Sequence, residues 1–321
     1  MSPFATEGDT FEVLTMGRVG VDFYPTTHGS IVDVDIFQKF LGGSPTNVAV
    51  AAARLGHRSA VITRTGADEF GRFVHAALVR YGVDDRFVLP VEGSLTPVTF
   101  CETHPPDHFP IYFYREPKAP DLEIATDELD LGTIKSAGLF WATVSGLSVE
   151  PSRGATYAAL ASREHRHPTV LDLDYRPTFW TSREEARHAA RRALTSATVA
   201  VGNLDEVEVA VGTREPDEAA EALLGLGVEL AVIKLGGDGV VARSLHERAE
   251  AAPVEVPVVN GLGAGDAFGG ALCHGLLEGW PLEETLRFAN AAGAIVASRL
   301  ACSEAMPNAE EVRLLLERGH L

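Results

Sequence analysis

The stretch NGLGAGDAFGG, residues 260–270, places three small residues directly before a predicted helix. The small residues are Gly263, Ala264 and Gly265, and the carboxylate of Asp266 follows them. The first backbone N–H groups of a helix lack partners and lie at the positive end of its dipole, so they attract an anion. Glycine lets that anion approach the backbone closely. A carboxylate beside such an anion site can take the proton of an attacking hydroxyl. We therefore predict Asp266 as the base of a phosphoryl transfer to an alcohol.

A tight loop that lets a helix pack closely is the alternative explanation of this small-residue cluster. A Walker A loop is excluded, because the pattern G-x-x-x-x-G-K-[ST] does not occur in the sequence. A dinucleotide-binding fingerprint fits poorly, because the stretch lies near the C-terminus without a βαβ unit after it. On its own, the stretch leaves the anion site and the tight loop as the two open interpretations.

Short apolar runs alternate with helical patterns along most of the chain. We predict strands at residues 11–20, 59–63, 86–89, 139–144, 169–173, 198–201 and 230–233. We predict helices at residues 47–55, 69–81, 153–164, 183–194, 217–226, 265–278, 282–299 and 309–318. The first helix is expected to begin with Ser44 as its N-cap and Pro45 at its first position. This alternation indicates the α/β class, with a mostly parallel sheet covered by helices on both faces.

Residues 96–115 break the alternation. Two strand-like runs, residues 98–101 and 111–114, flank the turn-rich sequence HPPD at residues 104–107. No helix is available to cover them, so the pattern predicts a β-hairpin. Residues 31–40 are expected to pair with this hairpin and to form a small separate sheet.

The formal net charge of the chain is −18, with 27 Lys and Arg against 45 Asp and Glu. This charge argues against nucleic acid and anionic membrane surfaces as partners. Hydrophobic residues make up 45% of the 321 residues, which suffices for a sizeable core, and no run has membrane-spanning length. The three cysteines are widely separated, which indicates neither a disulfide framework nor a cysteine zinc site. Residues 1–10 lack the pattern of a signal peptide, so we expect a cytoplasmic protein.

A second glycine cluster, GGSPTN from Gly42 to Asn47, stands before an alanine-rich predicted helix. Gly42 and Gly43 let a ligand lie against the backbone, and the amide of Asn47 can donate and accept hydrogen bonds. A plain helix start is the alternative. Together with VAVAAARLG, residues 48–56, the cluster resembles the N-terminal signature of the ribokinase-like (PfkB) carbohydrate kinases. Residues 263–266 resemble the C-terminal signature of that family, in the same order, and the resemblance spans the chain.

The resemblance implies a ribokinase-like three-layer α/β/α fold with a mostly parallel central sheet, in a single domain over residues 1–321. A small β-sheet lid would be inserted from about residues 23–41 and 96–118. The implied cofactors are ATP and Mg²⁺, and the implied partners are a sugar and a second copy of the chain that covers the lid edges.

The family's functional residues carry over to matching positions of this sequence. Asp266 resembles the catalytic base, and the backbone amides of Gly263, Ala264, Gly265 and Asp266 resemble the anion hole for the transferred phosphoryl group. The implied substrate-binding residues are Asp22, Gly42, Gly43 and Asn47, and the implied nucleotide-binding residues are Asn203, Lys234, Gly236, Gly239 and Asn290. Asn203 and Glu206 are the implied Mg²⁺ residues, acting through water. Simpler roles remain open: Asp22 as a loop aspartate, Asn203 as a helix cap, Glu206 as a surface charge, Lys234 as a strand-end lysine and Asn290 in helix packing.

Two arginines outside these signatures, Arg115 and Arg176, indicate an acidic substrate. A guanidinium group binds a carboxylate through paired hydrogen bonds, so it suits an acid sugar better than a neutral one. A structural ion pair, with Glu116 or Asp174, is the alternative for each. The sequence DLDYRPTFW, residues 172–180, resembles two subgroups of the family whose substrates are deoxy keto-acids. These are the 5-dehydro-2-deoxygluconokinases of inositol catabolism, which are favoured, and the 2-keto-3-deoxygluconate kinases.

One departure from the family pattern concerns residues 260–262, where Asn-Gly-Leu replaces the Asp-Thr that many members carry. The family's monovalent-cation site uses the oxygens of those residues, so the sequence argues against activation by potassium. The same departure favours the first subgroup. A fructokinase-type kinase and a sugar-binding sensor that has lost catalysis stay as alternatives, although the presence of Asp266 counts against the sensor.

Overall fold

The structure is a computed structural model that describes residues 10–320; residues 1–9, which belong to the polar N-terminus considered above, lie outside the described residues. The strands are β1 Val13–Met16, β2 Gly20–Pro25, β3 Phe37–Gly42, β4 Ser59–Gly66, β5 Val83–Asp84, β6 Val88–Val91, β7 Val98–Cys101, β8 Ile111–Tyr114, β9 Leu139–Thr143, β10 Thr169–Asp172, β11 Val199–Asn203, β12 Leu230–Lys234, β13 Val240–Ser244 and β14 Arg248–Ala251. The helices are α1 Ser44–Arg54, α2 Glu69–Tyr81, α3 Leu131–Ser136, α4 Ser152–Ser162, α5 Arg183–Leu194, α6 Leu204–Val211, α7 Pro216–Leu224, α8 Ala264–Glu278, α9 Leu282–Ala297 and α10 Ala309–Arg318.

The larger sheet has the strand order β14-β13-β12-β11-β10-β9-β1-β4-β5, and β6 also pairs with β4. The strands from β12 to β5 run parallel, whereas β13 and β14 extend the sheet as antiparallel strands. Central strands such as β9 are buried along their whole length. This burial explains why their sequences are continuous apolar runs.

Each face of the larger sheet packs against its own layer of helices. Successive strand residues point to opposite faces, so that Leu139 belongs to one core and Phe140 to the other. The first core includes residues of α1, α2, α8, α9 and α10, and the second includes residues of α3 to α7. The fold is therefore the predicted three-layer α/β/α arrangement, and the prediction is confirmed.

The second sheet has the strand order β3-β2-β7-β8. The predicted hairpin is present, with β7 and β8 paired in antiparallel fashion. The expected direct pairing of residues 31–40 with the hairpin is wrong, because β2 lies between β3 and β7. The single strand predicted at residues 11–20 is also wrong: β1 ends at Met16, Gly17 turns with φ 140°, and the chain enters the second sheet at Gly20.

Local signals at the helix starts explain where the boundaries fall. The Asp68 side chain accepts a hydrogen bond from the Gly71 N–H and caps α2. Ser44, predicted as the N-cap of α1, lies instead inside the helix, and Gly43 at φ 103° is the N-cap. Among the described helices, none combines the length and the apolar character that crossing a bilayer would require.

Candidate active site

Asp266 lies in the first turn of α8, where its side chain lines a cavity below the second sheet. The Asn47 amide donates a hydrogen bond to Asp266 Oδ2 over 2.7 Å, and the Ser303 hydroxyl donates to Asn47 Oδ1 over 2.6 Å. The hydrogen bond from Ser303 thus fixes the Asn47 amide, and the amide nitrogen holds Asp266. Burial raises the pKa of Asp266, and the hydrogen bond from Asn47 opposes the rise. The structure thus places Asn47 as a partner of the candidate base.

The backbone around Gly263 is a helix start with unpaired N–H groups, the geometry that the predicted anion site requires. Gly263 adopts φ 82°, and a Cβ added there would lie 2.5 Å from Cys302 Sγ, so only glycine fits. The first helical hydrogen bond runs from the Ala267 N–H to the Gly263 carbonyl. The N–H groups of residues 264–266 precede it and are the free donors of a helix start. A Cβ added to Gly265 would lie 3.4 Å from Lys234 Nζ, which places the ammonium group at the same helix start.

Lys234 keeps its charge at this position. Partial burial works to lower the pKa of its ammonium group, but the nearby carboxylates of Asp172, Glu206 and Asp266 outweigh it and raise the pKa. Lys234 and the N–H groups at the start of α8 are therefore the positive groups of a site that also contains carboxylates. An anionic phosphoryl group would be stabilised there.

Asp22 lies in the same cavity as Asp266. Burial raises the pKa of Asp22 to about 6, while the charge of Arg18 and a hydrogen bond from Thr99 lower it. A Cβ added to Gly42 would overlap the Asp22 carboxylate, so this glycine makes room for a side chain of the protein itself. Gly43 similarly admits the backbone of Arg18 and also lines the cavity.

Arg18 and Arg176 share one carboxylate at the cavity wall. Arg18 Nε and Nη2 donate to Asp174 over 3.1–3.2 Å, and Arg176 Nη2 lies 2.9 Å from Asp174 Oδ1. Burial raises the pKa of Asp174, but the two guanidinium charges outweigh it and lower the pKa, so the trio carries one net positive charge. Arg176 Nε is buried and donates to no protein atom in residues 10–320. Arg176 lines the cavity with a side chain that is 35% exposed, so other atoms of its guanidinium can face an anionic group of a substrate.

Arg115, predicted from the sequence as a substrate-binding residue, does not line this cavity. Its guanidinium forms an ion pair with the fully buried carboxylate of Asp121 and lies 5.1 Å from the centre of the Phe179 ring. Arg115 lines a separate neighbouring cavity. Arg18 received no role from the sequence, although it stands only four residues before Asp22.

A cleft of about 710 Å³ lies on the other side of the start of α8. Its lining residues near the larger sheet include Lys234, Gly236, Gly239, Gly265 and Asn290. Pro106, Asp107 and Phe109, from the turn between β7 and β8, also line it. Asn290 Nδ2 donates to the carbonyls of Ala251 and Ala252 over 3.1 and 3.0 Å. Its amide donors therefore fix the end of β14, which leaves only its carbonyl oxygen for a ligand.

Asn203 and Glu206 form a reciprocal cap at the start of α6. The Glu206 N–H donates to Asn203 Oδ1 over 3.0 Å, and the Asn203 N–H donates to Glu206 Oε2 over 2.8 Å. The capping role left open from the sequence is thus present, but Glu206 is buried and is not a surface charge. Asp172, which the sequence analysis missed, lies near Glu206 and Lys234, and burial raises its pKa to about 7.

The site and the comparisons together define a phosphotransferase that acts on a sugar hydroxyl. The chain belongs to the pfkB family of carbohydrate kinases, whose family profile matches residues 10–309. It is 33% identical to a 5-dehydro-2-deoxygluconokinase of Shouchella clausii (strain KSM-K16), over 98% of each chain. It is 30% identical to the 5-dehydro-2-deoxygluconokinase of Bacillus subtilis (strain 168), over 97% of each chain.

Solved structures confirm the ribokinase-like fold. A putative ribokinase II from E. coli, in complex with ATP and Mg²⁺, has a TM-score of 0.87 at 23% identity. The match covers 96% of this chain and 99% of the ribokinase chain. Fructokinase from Vibrio cholerae O395, bound to fructose, ADP and calcium, has a TM-score of 0.82 at 26% identity and covers 96% of this chain and 100% of its own.

Proposed function

We propose that the protein is a Mg·ATP-dependent kinase that phosphorylates the terminal 6-hydroxyl of 5-dehydro-2-deoxy-D-gluconate in inositol catabolism. The observation that carries this proposal is the presence of two guanidinium groups, Arg18 and Arg176, in the cavity of Asp266. These two groups share the carboxylate of Asp174, and guanidinium donors of this kind favour a substrate with a carboxylate. The 5-dehydro-2-deoxygluconokinases among its relatives support the choice of acid sugar.

In the proposed reaction, a bond forms between the terminal sugar oxygen and the γ-phosphorus of ATP, and the bond from that phosphorus to the β,γ-bridging oxygen breaks. Asp266 accepts the proton of the sugar hydroxyl. The amides of Gly263, Ala264, Gly265 and Asp266, together with Lys234, bind the oxygens of the phosphoryl group as it moves. Asp22 accepts hydrogen bonds from other sugar hydroxyls, and ADP leaves from the larger cleft.

Asn203 and Glu206 fit a magnesium ion bound through water. Glu206 is buried, and its second carboxylate oxygen is not used in the helix cap, so an oxygen donor with negative charge is available. Bound Mg²⁺ would neutralise charge on the phosphate oxygens. The glycines Gly236 and Gly239 and the carbonyl oxygen of Asn290 would line the nucleotide site.

We propose further that the second sheet acts as a lid within one domain. Ile111 and Phe113 on β8 line the cavity of Asp266, and the turn before them lines the larger cleft, so one hairpin covers both.

The outer strands β3 and β8 have free edges, and Ile36 and Tyr114 are exposed nearby. A homodimer through this sheet would cover them. Light scattering after gel filtration tests this: a monomer would contradict the dimer.

The proposed activity can be tested by incubating the protein with Mg·ATP and 5-dehydro-2-deoxy-D-gluconate. We expect release of one ADP per sugar, with the phosphate on the 6-oxygen by ³¹P–¹H correlation NMR. Sugar binding without ADP release would instead favour the sensor. ADP release with 2-keto-3-deoxygluconate or fructose but not with this acid would favour one of the two other kinases.

We expect kcat/KM for the sugar to decrease as the pH is lowered through about 6. Carboxylates with ordinary pKa values would cause this decrease at a lower pH. Both Asp22, with a pKa raised to about 6 by burial, and Asp266, with a raised pKa, must be ionised to accept hydrogen bonds and the proton. Lowering the pH protonates them and removes activity. The measurement is a pH profile of kcat/KM, with protein stability monitored by circular dichroism. A profile that stays flat down to about pH 5 would contradict this assignment.

Replacing potassium by tetramethylammonium should leave kcat/KM unchanged. Asn260 is fully buried, and its Nδ2 donates to the Leu300 carbonyl over 2.7 Å, while its Oδ1 accepts from the Leu262 N–H. An amide donor therefore occupies the Leu300 carbonyl, and a neutral amide stands where many family members have a carboxylate. Asn260→Asp places a carboxylate against that carbonyl and is expected to gain a response to potassium. Potassium activation of the unmodified protein would contradict this proposal.

A further inference from the structure

Helices α1 and α8 both begin at the active site and meet again at their far ends. Asn47 on α1 and Asp266 on α8 are hydrogen-bonded at the near ends. Along their length the helices pack closely, because a Cβ added to Gly270 would overlap Ala51. His57, which follows the end of α1, lies beside His274 near the end of α8. At 1.5 Å per residue, His274 is about 12 Å along α8 from Asp266.

The far ends carry three side chains with the donor atoms of a metal site. His57 Nε2 and His274 Nδ1 are 2.7 Å apart, and the ligand atoms of His57, His274 and Glu278 all lie within 4.8 Å of one another. His274 and Glu278 are one turn apart on α8, so they share a helix face. The two histidines are buried, whereas Glu278 is exposed, which leaves a path for an ion from solvent.

The surroundings of this cluster resemble those of a protein metal site. Glu12 Oε1 lies 3.5 Å from His57 Nδ1, on the side of the ring that faces away from His274. An outer carboxylate of this kind orients a ligating imidazole. The His274 ring packs against Trp280 and Phe288, with ring centres 4.8 and 5.5 Å apart, so its position is fixed by aromatic neighbours.

We propose that His57, His274 and Glu278 bind one Zn²⁺ ion, with water as the fourth ligand. Two imidazole nitrogens and one carboxylate are a donor set that zinc takes in proteins. Ligand atoms around a tetrahedral zinc are ~3.3 Å apart, so the two rings must separate by about half an ångström. The hydrogen that they share moves to the other nitrogen of its own ring when the ion binds, so both imidazoles ligate as neutral groups.

The bound ion would fix the far ends of the two helices that carry Asn47 and Asp266. Zinc would therefore stabilise the fold and would take no part in the phosphoryl transfer. This proposal stands independently of the sugar that the kinase uses.

The site can be tested by isothermal titration calorimetry of Zn²⁺ into metal-stripped protein. Excess Mg²⁺ is present so that it fills the proposed magnesium position. We expect one Zn²⁺ per chain and a higher melting temperature. Glu278→Gln should weaken binding at least about tenfold, because a charged ligand is lost. Kinase activity should stay unchanged in this variant. Glu317→Gln, an exposed control on α10, should bind zinc as the unmodified protein does.

Two further measurements test the site without replacing either histidine. Co²⁺ in place of zinc should give visible d–d bands without a thiolate charge-transfer band, although Cys273 is adjacent in sequence. Arg313 acts on His274 electrostatically, so Arg313→Gln should bind zinc a few times more tightly. The absence of zinc binding, a thiolate band, or unchanged affinity in Glu278→Gln would each overturn the proposal.

Discussion

Asp266→Asn is expected to lower kcat about 10³-fold, because the sugar hydroxyl loses its proton acceptor. The asparagine's carbonyl oxygen can still accept the hydrogen bond from Asn47, and the backbone amides of the anion site are unchanged. Binding of ATP and of the sugar should therefore persist. The measurement is steady-state ADP release at saturating Mg·ATP, with the melting temperature as a check on folding.

Asp22→Asn is the matched control, because Asp22 is a second buried carboxylate in the same cavity. Its proposed role is to hold sugar hydroxyls, so this variant should raise KM more than it lowers kcat. If Asp266→Asn retained more than about a tenth of kcat, Asp266 would not be the base. Equal losses of kcat in both variants would also contradict the division of roles.

Arg18→Gln and Arg176→Gln should each raise KM for the acid sugar about 10- to 100-fold, the usual range for a lost hydrogen bond to a charged group. Arg176 lines the cavity with a partly exposed side chain, so its guanidinium can pair with the carboxylate of a substrate. Arg18 contributes the second positive charge beside Asp174. The KM for fructose, which has no carboxylate, should change much less.

Arg115→Gln tests whether Arg115 binds the substrate, as the sequence predicts, or only stabilises the fold through Asp121. Arg115 pairs with the buried Asp121 and lines a different cavity, so its loss should lower the melting temperature but change KM by less than about threefold. The test is a comparison of KM among the three arginine variants. A larger KM for Arg115→Gln than for Arg18→Gln would show that the carboxylate site is wrongly placed.

Helices with strong local signals could be predicted from the sequence to the residue. Arg183–Leu194 begins after a Ser182 cap, and Ala309–Arg318 begins after Asn308, whose side chain and Glu311 cap each other. Gly319 ends the latter helix in the left-handed conformation. Such signals lie within a few residues of the boundary, so they need no tertiary information.

Features that depend on distant partners could not be predicted in this way. Nothing in the local sequence shows that Arg18 reaches Asp174, 156 residues away. Gly42 was expected to admit a ligand, whereas it admits the Asp22 carboxylate of the neighbouring strand. The two family signatures do line one cavity, but the contacts of individual side chains required the folded chain.

We propose that one cavity holds both the base Asp266, beside an anion site, and two arginines that select an acid sugar. The most direct test is kcat/KM for a panel of 5-dehydro-2-deoxy-D-gluconate, 2-keto-3-deoxygluconate, fructose and ribose, with saturating Mg·ATP. We expect the first acid to exceed both neutral sugars by at least about 100-fold, the discrimination that a buried charged hydrogen bond provides. A preference for fructose by a similar margin would contradict the claim.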